Sequence, residues 1–293
     1  MLIGIMLALA SGISLGGITS FAALSYQHGV EPLSLIALRG GISGIIMVAV
    51  CLFQKDPIRL ANGGWKYAVL IGVSLSMVGF GYMSSVAYIS PGLAVAVLFL
   101  FPLMVLVIDS IRSHTMPPIT TIIGFSVALI GIISCVGIGG PLHPMGIILA
   151  LIASFGMAFY LLSSSAASAA GHGSGNIVWA NAMIVSLAVV AIVMFRPEDG
   201  PLIALPSSNI GMIAILVASL LYAAGILFSV LALRVIPSPL VALMMNIEPL
   251  TTLVAARLIV DETLSMLQYS GMIMAVVGIV LGSISMSRQH KKD

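Results

Sequence analysis

The sequence predicts an all-α integral membrane protein whose ten transmembrane helices form two inverted five-helix repeats. Three observations lead there. Of 293 residues, 60% are hydrophobic and only 7% charged, with a mean hydropathy of +1.22, whereas a soluble domain carries about 25% charged residues to face water. The apolar residues fall into ten segments, each near the roughly 20 residues needed to cross a hydrocarbon core as a helix. The second half of the chain also repeats landmarks of the first.

Spans are expected at about 3–25, 33–53, 66–89, 92–111, 119–138, 145–167, 176–195, 209–233, 239–260 and 266–286. Each break carries a turn or charge signal. These include Glu31-Pro32, Lys55-Asp56-Pro57, Pro117-Pro118, Pro141 with Pro144, Gly171 to Gly175, Arg196-Pro197 through Pro206, and Pro237-Ser238-Pro239. The connections at Ser90-Pro91-Gly92 and Pro237-Pro239 are short enough to demand tight helical hairpins. Met1 to Leu24 lack the basic start and the cleavage site of a secretory signal, so they are read as the first span.

At an offset of 147 and without a gap, Pro102, Gly124 and Gly131 align with Pro249, Gly271 and Gly278. The opening spans of the halves also correspond, IGIMLALAS with MGIILALIA. The expected halves are residues 1–140 and 141–293. Five is odd, so the second copy must enter the membrane from the opposite face, an inverted repeat about an axis in the membrane plane.

Lys and Arg are retained on the cytoplasmic side during insertion. With a cytoplasmic N-terminus, Lys55, Arg59, Lys66, Arg112, Arg234, Arg288, Lys291 and Lys292 fall inside, against Arg39, Arg196 and Arg257 nearer the outside. The bias puts both termini in the cytoplasm. Cys51 and Cys135 sit in separate apolar stretches without metal-ligand spacing, and are read as small buried hydrophobes. No metal or cofactor is expected. With a net charge of +2 and no basic run, nucleic acid is not expected as a partner.

Beyond the repeat, the segments around Pro102 and Pro249, "IEPL" before the latter, "DETLS" at Asp261 to Ser265, the Tyr269 to Gly278 stretch and "ALRGG" opening span two carry a resemblance. The chain resembles the drug/metabolite transporter superfamily in its ten-helix branch of tandem EamA-type repeats. Within that branch it is most similar to bacterial amino-acid exporters of the YddG type. The resemblance implies an inner-membrane protein that moves small-molecule substrates by alternating access through a cavity between the halves. Two departures bear on the "DETLS" loop: Asp261 replaces the usual Gly, and Thr115 stands in half one where half two has Glu262.

A charge near the bilayer centre costs at least about 2.5–3.5 kcal/mol, which singles out Glu248, about nine residues into span nine beside Pro249 and Asn246. It is either a cavity carboxylate for a substrate ammonium or coupling proton, or half of an ion pair with Arg39 or Arg257. Arg39, roughly two turns into span two, either receives a substrate carboxylate or anchors that end. Pro102 and Pro249 occupy equivalent mid-depth positions and free the carbonyls of Leu98 and Met245; they are candidate hinges. The same offset sets Phe99 and Phe101 against Asn246 and Glu248: either the cavity has an aromatic wall opposite a polar one, which suits a solute with a charged end and an apolar body, or the phenylalanines simply face lipid. Further cavity candidates are Ser11, Ser14, Tyr82, Tyr160, Trp179, Asn181, Tyr222 and Met245.

Packing explains other features. Gly12/Gly16, Gly40/Gly44 and Gly278/Gly282 fit close helix approach. Gly41-Ile42-Ser43-Gly44 mimics an intramembrane serine protease, yet no histidine lies at membrane depth to serve as its base. No G-x-x-x-x-G-K occurs, so ATP is not the expected energy source. The expectation is a monomeric secondary exporter of amphiphilic metabolites such as aromatic or neutral amino acids. The alternatives are efflux of lipophilic cations and, from another class, a channel. The orientation has a direct consequence: in intact cells an impermeant thiol reagent should modify Glu198→Cys strongly and Lys55→Cys not at all, and the reverse pattern would invert the topology.

Overall fold

In hydrocarbon every backbone donor and acceptor needs an internal partner, and among the described residues the chain meets that demand with helices. A computed structural model of the protein describes residues 1–55, 58, 63–136, 142–171, 175–195, 203–259 and 264–289. Arg59, Arg196, Lys291 and Lys292, together with Asp261 and Glu262 of the "DETLS" loop, lie outside the described residues. Twelve helices are described: α1 (Leu2–Gln27), α2 (Pro32–Gln54), α3 (Gly64–Ser85), α4 (Pro91–Leu98), α5 (Phe101–Ser113), α6 (Ile119–Val136), α7 (Pro144–Ala169), α8 (Gly175–Phe195), α9 (Asn209–Leu233), α10 (Ser238–Met245), α11 (Ile247–Ile259) and α12 (Met266–Gln289). With α4 joined to α5 and α10 to α11, they give ten helices long and apolar enough to cross a membrane. Large apolar side chains such as Ile45, Ile111 and Ile273 are exposed on their outer surfaces, where a lipid-facing helix needs them.

Local chemistry sets the ends. The hydroxyls of Ser90 and Ser208 accept from the amides of Leu93 and Gly211, capping α4 and α9. Helices α2 and α5 stop at left-handed residues, Lys55 at φ 56° and His114 at φ 52°. Pro91 and Pro239 sit in the first turns of α4 and α10, where a missing amide is harmless.

Spans four and nine differ from the single hinged helices the sequence predicts. Each is two helices, interrupted at Phe99–Leu100 and at Asn246. Proline at 102 and 249 offers no amide to Leu98 and Met245 and crowds those carbonyls, so the ladder ends there rather than bending through the proline itself. Helices α4 and α10 have matching bounds at the 147 offset, since 91 + 147 = 238 and 98 + 147 = 245.

Packing pairs each element with the partner of its equivalent: α1 lies on α9 and α3 on α7, while the equivalent helices α2 and α8, and α6 and α12, pack on each other. The α6–α12 seam is nearly backbone on backbone. Gly124 faces Gly278 and Gly282, Gly131 faces Gly271 and Ala275, Gly271 faces Cys135, and Gly278 faces Ala128. Numbers rise along one helix as they fall along the other, so the two run antiparallel. Adding 147 turns 124 into 271 and 131 into 278; subtracting it turns 282 into 135 and 275 into 128. Every contact therefore has its mirror, as a twofold axis through the seam requires.

A Cβ on Gly278 would meet the backbone of Ala128 and Gly124, which cannot yield. Gly278→Leu should lower thermal stability by more than the about 1–3 kcal/mol typical of an overpacked core, whereas Ile273→Val, on the exposed side of α12, should stay within about 0.5 kcal/mol. Thermal unfolding of the two purified variants in detergent checks this.

Candidate functional site

The interruption between α10 and α11 brings backbone out of its ladder at mid-depth, which hydrocarbon does not tolerate unless protein covers it. Helix α1 supplies the cover. A Cβ on Gly12 would lie 2.5 Å from Ile247 and 3.2 Å from the Met245 carbonyl, and one on Gly16 would strike the Glu248 carbonyl and Thr251. Only a glycine pair one turn apart lets α1 come so near. Thr252 then ties the elements together, its hydroxyl within 3.0 Å of the Gly16 carbonyl and 3.2 Å of the Glu248 carbonyl.

Around this break the structure gathers several residues that the sequence singles out. Met245 and Asn246 are fully buried, and Asn246 Oδ1 has no hydrogen-bond partner. Glu248 is partly accessible, and its carboxylate lies within electrostatic range of Tyr82 on α3. Neither cation proposed as its partner sits beside it. Arg39 extends over Tyr222, its guanidinium carbon 4.4 Å from the ring centroid, and Arg257 is nine residues further along α11, about 13.5 Å along the axis. The Arg39 charge also acts on Tyr26, and Tyr26 in turn on Tyr82. Tyr26 and Tyr82 are thus within electrostatic range of each other and, respectively, of the arginine and the carboxylate.

At the first interruption Phe99 and Phe101 are buried, 3% and 1% exposed, with ring centroids 5.6 Å apart. They face protein, not lipid, and share one core with Met245, Tyr160 and Tyr222. Pro102 and Pro249 are buried as well.

Other candidates are occupied locally. Ser11 donates to the Gly225 carbonyl at 2.7 Å, fastening α1 to α9. Tyr160 pairs its hydroxyl with Ser229 at 2.6 Å. Ser14 is buried on α1. Asn181 is buried beside Gly40 and Gly44, its amide nitrogen donating to Ile177 O at 3.0 Å while Oδ1 lacks a partner. Trp179 stands apart: it is half exposed, and its indole donates to Ile58 O at 2.9 Å. Ser43 Oγ is buried with no hydrogen-bond partner, so no base reaches it and the protease-like motif is packing. Sequence reasoning misses Tyr26 and Thr252, because a tyrosine near a helix end and a threonine after a proline have ordinary explanations in any membrane helix.

Chemically, the arrangement offers a guanidinium over a phenol ring, a carboxylate, a buried amide oxygen and two tilted aromatic rings in contact, near two broken helices. It resembles no nucleophile–base constellation, and the described residues contain no group of three or more His, Cys, Asp or Glu that could hold a metal.

A model of the EamA-like transporter family matches the chain twice, over residues 2–136 and 144–284. No curated protein compared with it matches. A solved crystal structure shares the fold with a TM-score of 0.79 at 17% identity, covering 97% of this chain and 96% of the other.

Each break owes its existence to a proline, so Pro249→Ala should extend the ladder across Met245–Pro249. Amide exchange through that stretch should slow about fivefold, the effect of one added backbone hydrogen bond of about 1 kcal/mol. Hydrogen–deuterium exchange read by mass spectrometry checks it; unchanged exchange would assign the break to tertiary packing.

Proposed function

The chain belongs to the EamA-like transporter family, and from that premise we propose that it is a secondary exporter of small amphiphilic metabolites, namely amino acids with aromatic or neutral side chains. The observation that carries the reading is the pair of interrupted helices at equivalent depths, one of which presents the unpartnered Asn246 Oδ1 and Glu248. Discontinuous helices at the junction of inverted repeats are where transporters of this architecture bind solute. An ionisable residue at that depth is costly unless function retains it.

In this reading Glu248 takes a substrate ammonium or a coupling proton, Arg39 with Tyr222 takes the carboxylate, and Phe99 with Phe101 flanks the apolar body. The halves, 1–140 and 141–293, rock about the α6–α12 seam, with Pro102 and Pro249 as hinges. The protein works as a monomer in the inner membrane with both termini in the cytoplasm, without covalent chemistry.

Proteoliposomes challenged with a panel of labelled amino acids test the proposal: exchange should saturate and show countertransport, whereas a channel would conduct without either. Glu248→Gln keeps the shape of the side chain, and with Arg39 engaged on Tyr222 it strands no ion-pair partner there. Its melting temperature should therefore match the parent while exchange, or its dependence on pH, falls at least tenfold. Normal exchange with a normal pH response would remove Glu248 from the mechanism.

A further inference from the structure

At one end of the molecule, residues 204–208, which lead into α9, lie across the turn between α1 and α2. Ala204 N donates to Ser34 Oγ at 2.9 Å. The Ser207 amide and hydroxyl both donate to the His28 carbonyl, at 2.9 and 3.1 Å. Ser208 Oγ pairs with His28 Nδ1 at 2.9 Å while accepting from Gly211 N. The fit is close: a Cβ on Gly211 would come within 2.7 Å of both His28 and Pro206. Beneath this strap is a small apolar cluster, Ala22, Val30, Leu35 and Ile215, separate from the main core. The strap comes from the second half and grips the first.

The repeat places a counterpart at the other end. Counted from their first residues, the offsets are 143 between α2 and α8 and 145 between α3 and α9, which sets Ser34 and Ala204 against the neighbourhoods of positions 177 and 59. Close to both, Trp179 of α8 donates to Ile58 O at 2.9 Å. Each half therefore sends the connection between its second and third helices onto the second helix of the other half, once at each end. In an inverted repeat such equivalent contacts need not hold together, because the two ends open in turn. Their chemistry also differs from that of the α6–α12 seam. That seam is backbone against backbone, whereas the strap is a handful of hydrogen bonds over four buried side chains, and is easily parted and remade.

We propose that residues 204–208 are a gate latch: their bonds to His28 and Ser34 close this end, and the path between the halves opens there only when those bonds break. The role rests on the transport reading for its purpose, but it can be tested apart from it. With the buried native Cys51 and Cys135 replaced by Ala, His28→Cys and Ser208→Cys are bridged in the full-length protein by a short bis-methanethiosulfonate. Exchange should fall at least tenfold and return on reduction, while each single variant given the same reagent keeps its rate. Undiminished exchange in fully bridged protein would overturn the latch.

In a second arm Ile215→Cys, 1% exposed in the parent, reports opening without any substrate. Adding Ser34→Ala and Ser207→Ala should speed its labelling by an impermeant maleimide at least tenfold, with no such change at Ile132→Cys in α6. Unchanged labelling at 215, or equal acceleration at both sites, would refute the proposal. If the unbridged protein exchanges none of the panel, the functional reading fails and the labelling arm alone decides the latch.

Discussion

The demand that no backbone polar group face lipid unpaired governs this molecule. A helix meets it alone; a helix broken at mid-depth does not. Because Pro102 and Pro249 end their ladders early, spans four and nine depend on neighbours to wall off the interruptions from hydrocarbon. Helix α1 reaches the second interruption through Gly12 and Gly16, and Thr252 bonds across the gap. The main features of the site follow from that cover. Main chain and Asn246 are held inside protein, with Glu248 beside them only partly accessible, so polar groups are retained there at little exposure to lipid.

Lipid is as apolar as leucine, so no hydrophobic force drives these helices together and close contact must do so. The contacts are unevenly distributed. Along α6 and α12 glycine meets glycine, and dispersion acts over the shortest distances in the molecule. At the end closed by residues 204–208 the halves meet through side-chain hydrogen bonds over a small cluster. Such a structure has a stiff axis and breakable margins, which is the mechanical premise of the proposed alternation.

Much of the fold is legible in the sequence because its signals are redundant. Apolar length marks the ten spans, prolines and charges mark their ends, and the ungapped 147 offset marks the repeat. The breaks are harder to read. A lone mid-span proline predicts a kink, and a single spacing does not say that the ladder stops beside it or that α1 will pack against Met245 to Thr251 to cover the break. The site is less legible still. The stacking of Arg39 on Tyr222 joins spans two and eight, and no spacing in one sequence encodes that meeting. Trp179 illustrates the opposite difficulty. It is an aromatic residue inside an apolar run, yet its half-exposed indole is engaged by Ile58, and composition cannot separate those environments.

The two halves share a backbone plan but not the chemistry at their breaks. Where half two places Asn246 and Glu248, half one places Phe99 and Phe101. At an offset of 142, where α1 has Gly12 and Gly16, α7 has Ser154 and Ala158, and Ser154 meets Met104 through its hydroxyl at 3.5 Å. A side chain at 154 forbids the approach that Gly12 allows, so α7 cannot cover its break as α1 covers the other. Aromatic rings do that work instead. Phe99 and Phe101 fill the space beside the α4–α5 interruption with apolar mass, while the α10–α11 interruption, sheltered by a close neighbour, has room for an amide and a carboxylate. The halves thus share a backbone plan, while these few side chains make the α10–α11 interruption polar and the α4–α5 interruption aromatic.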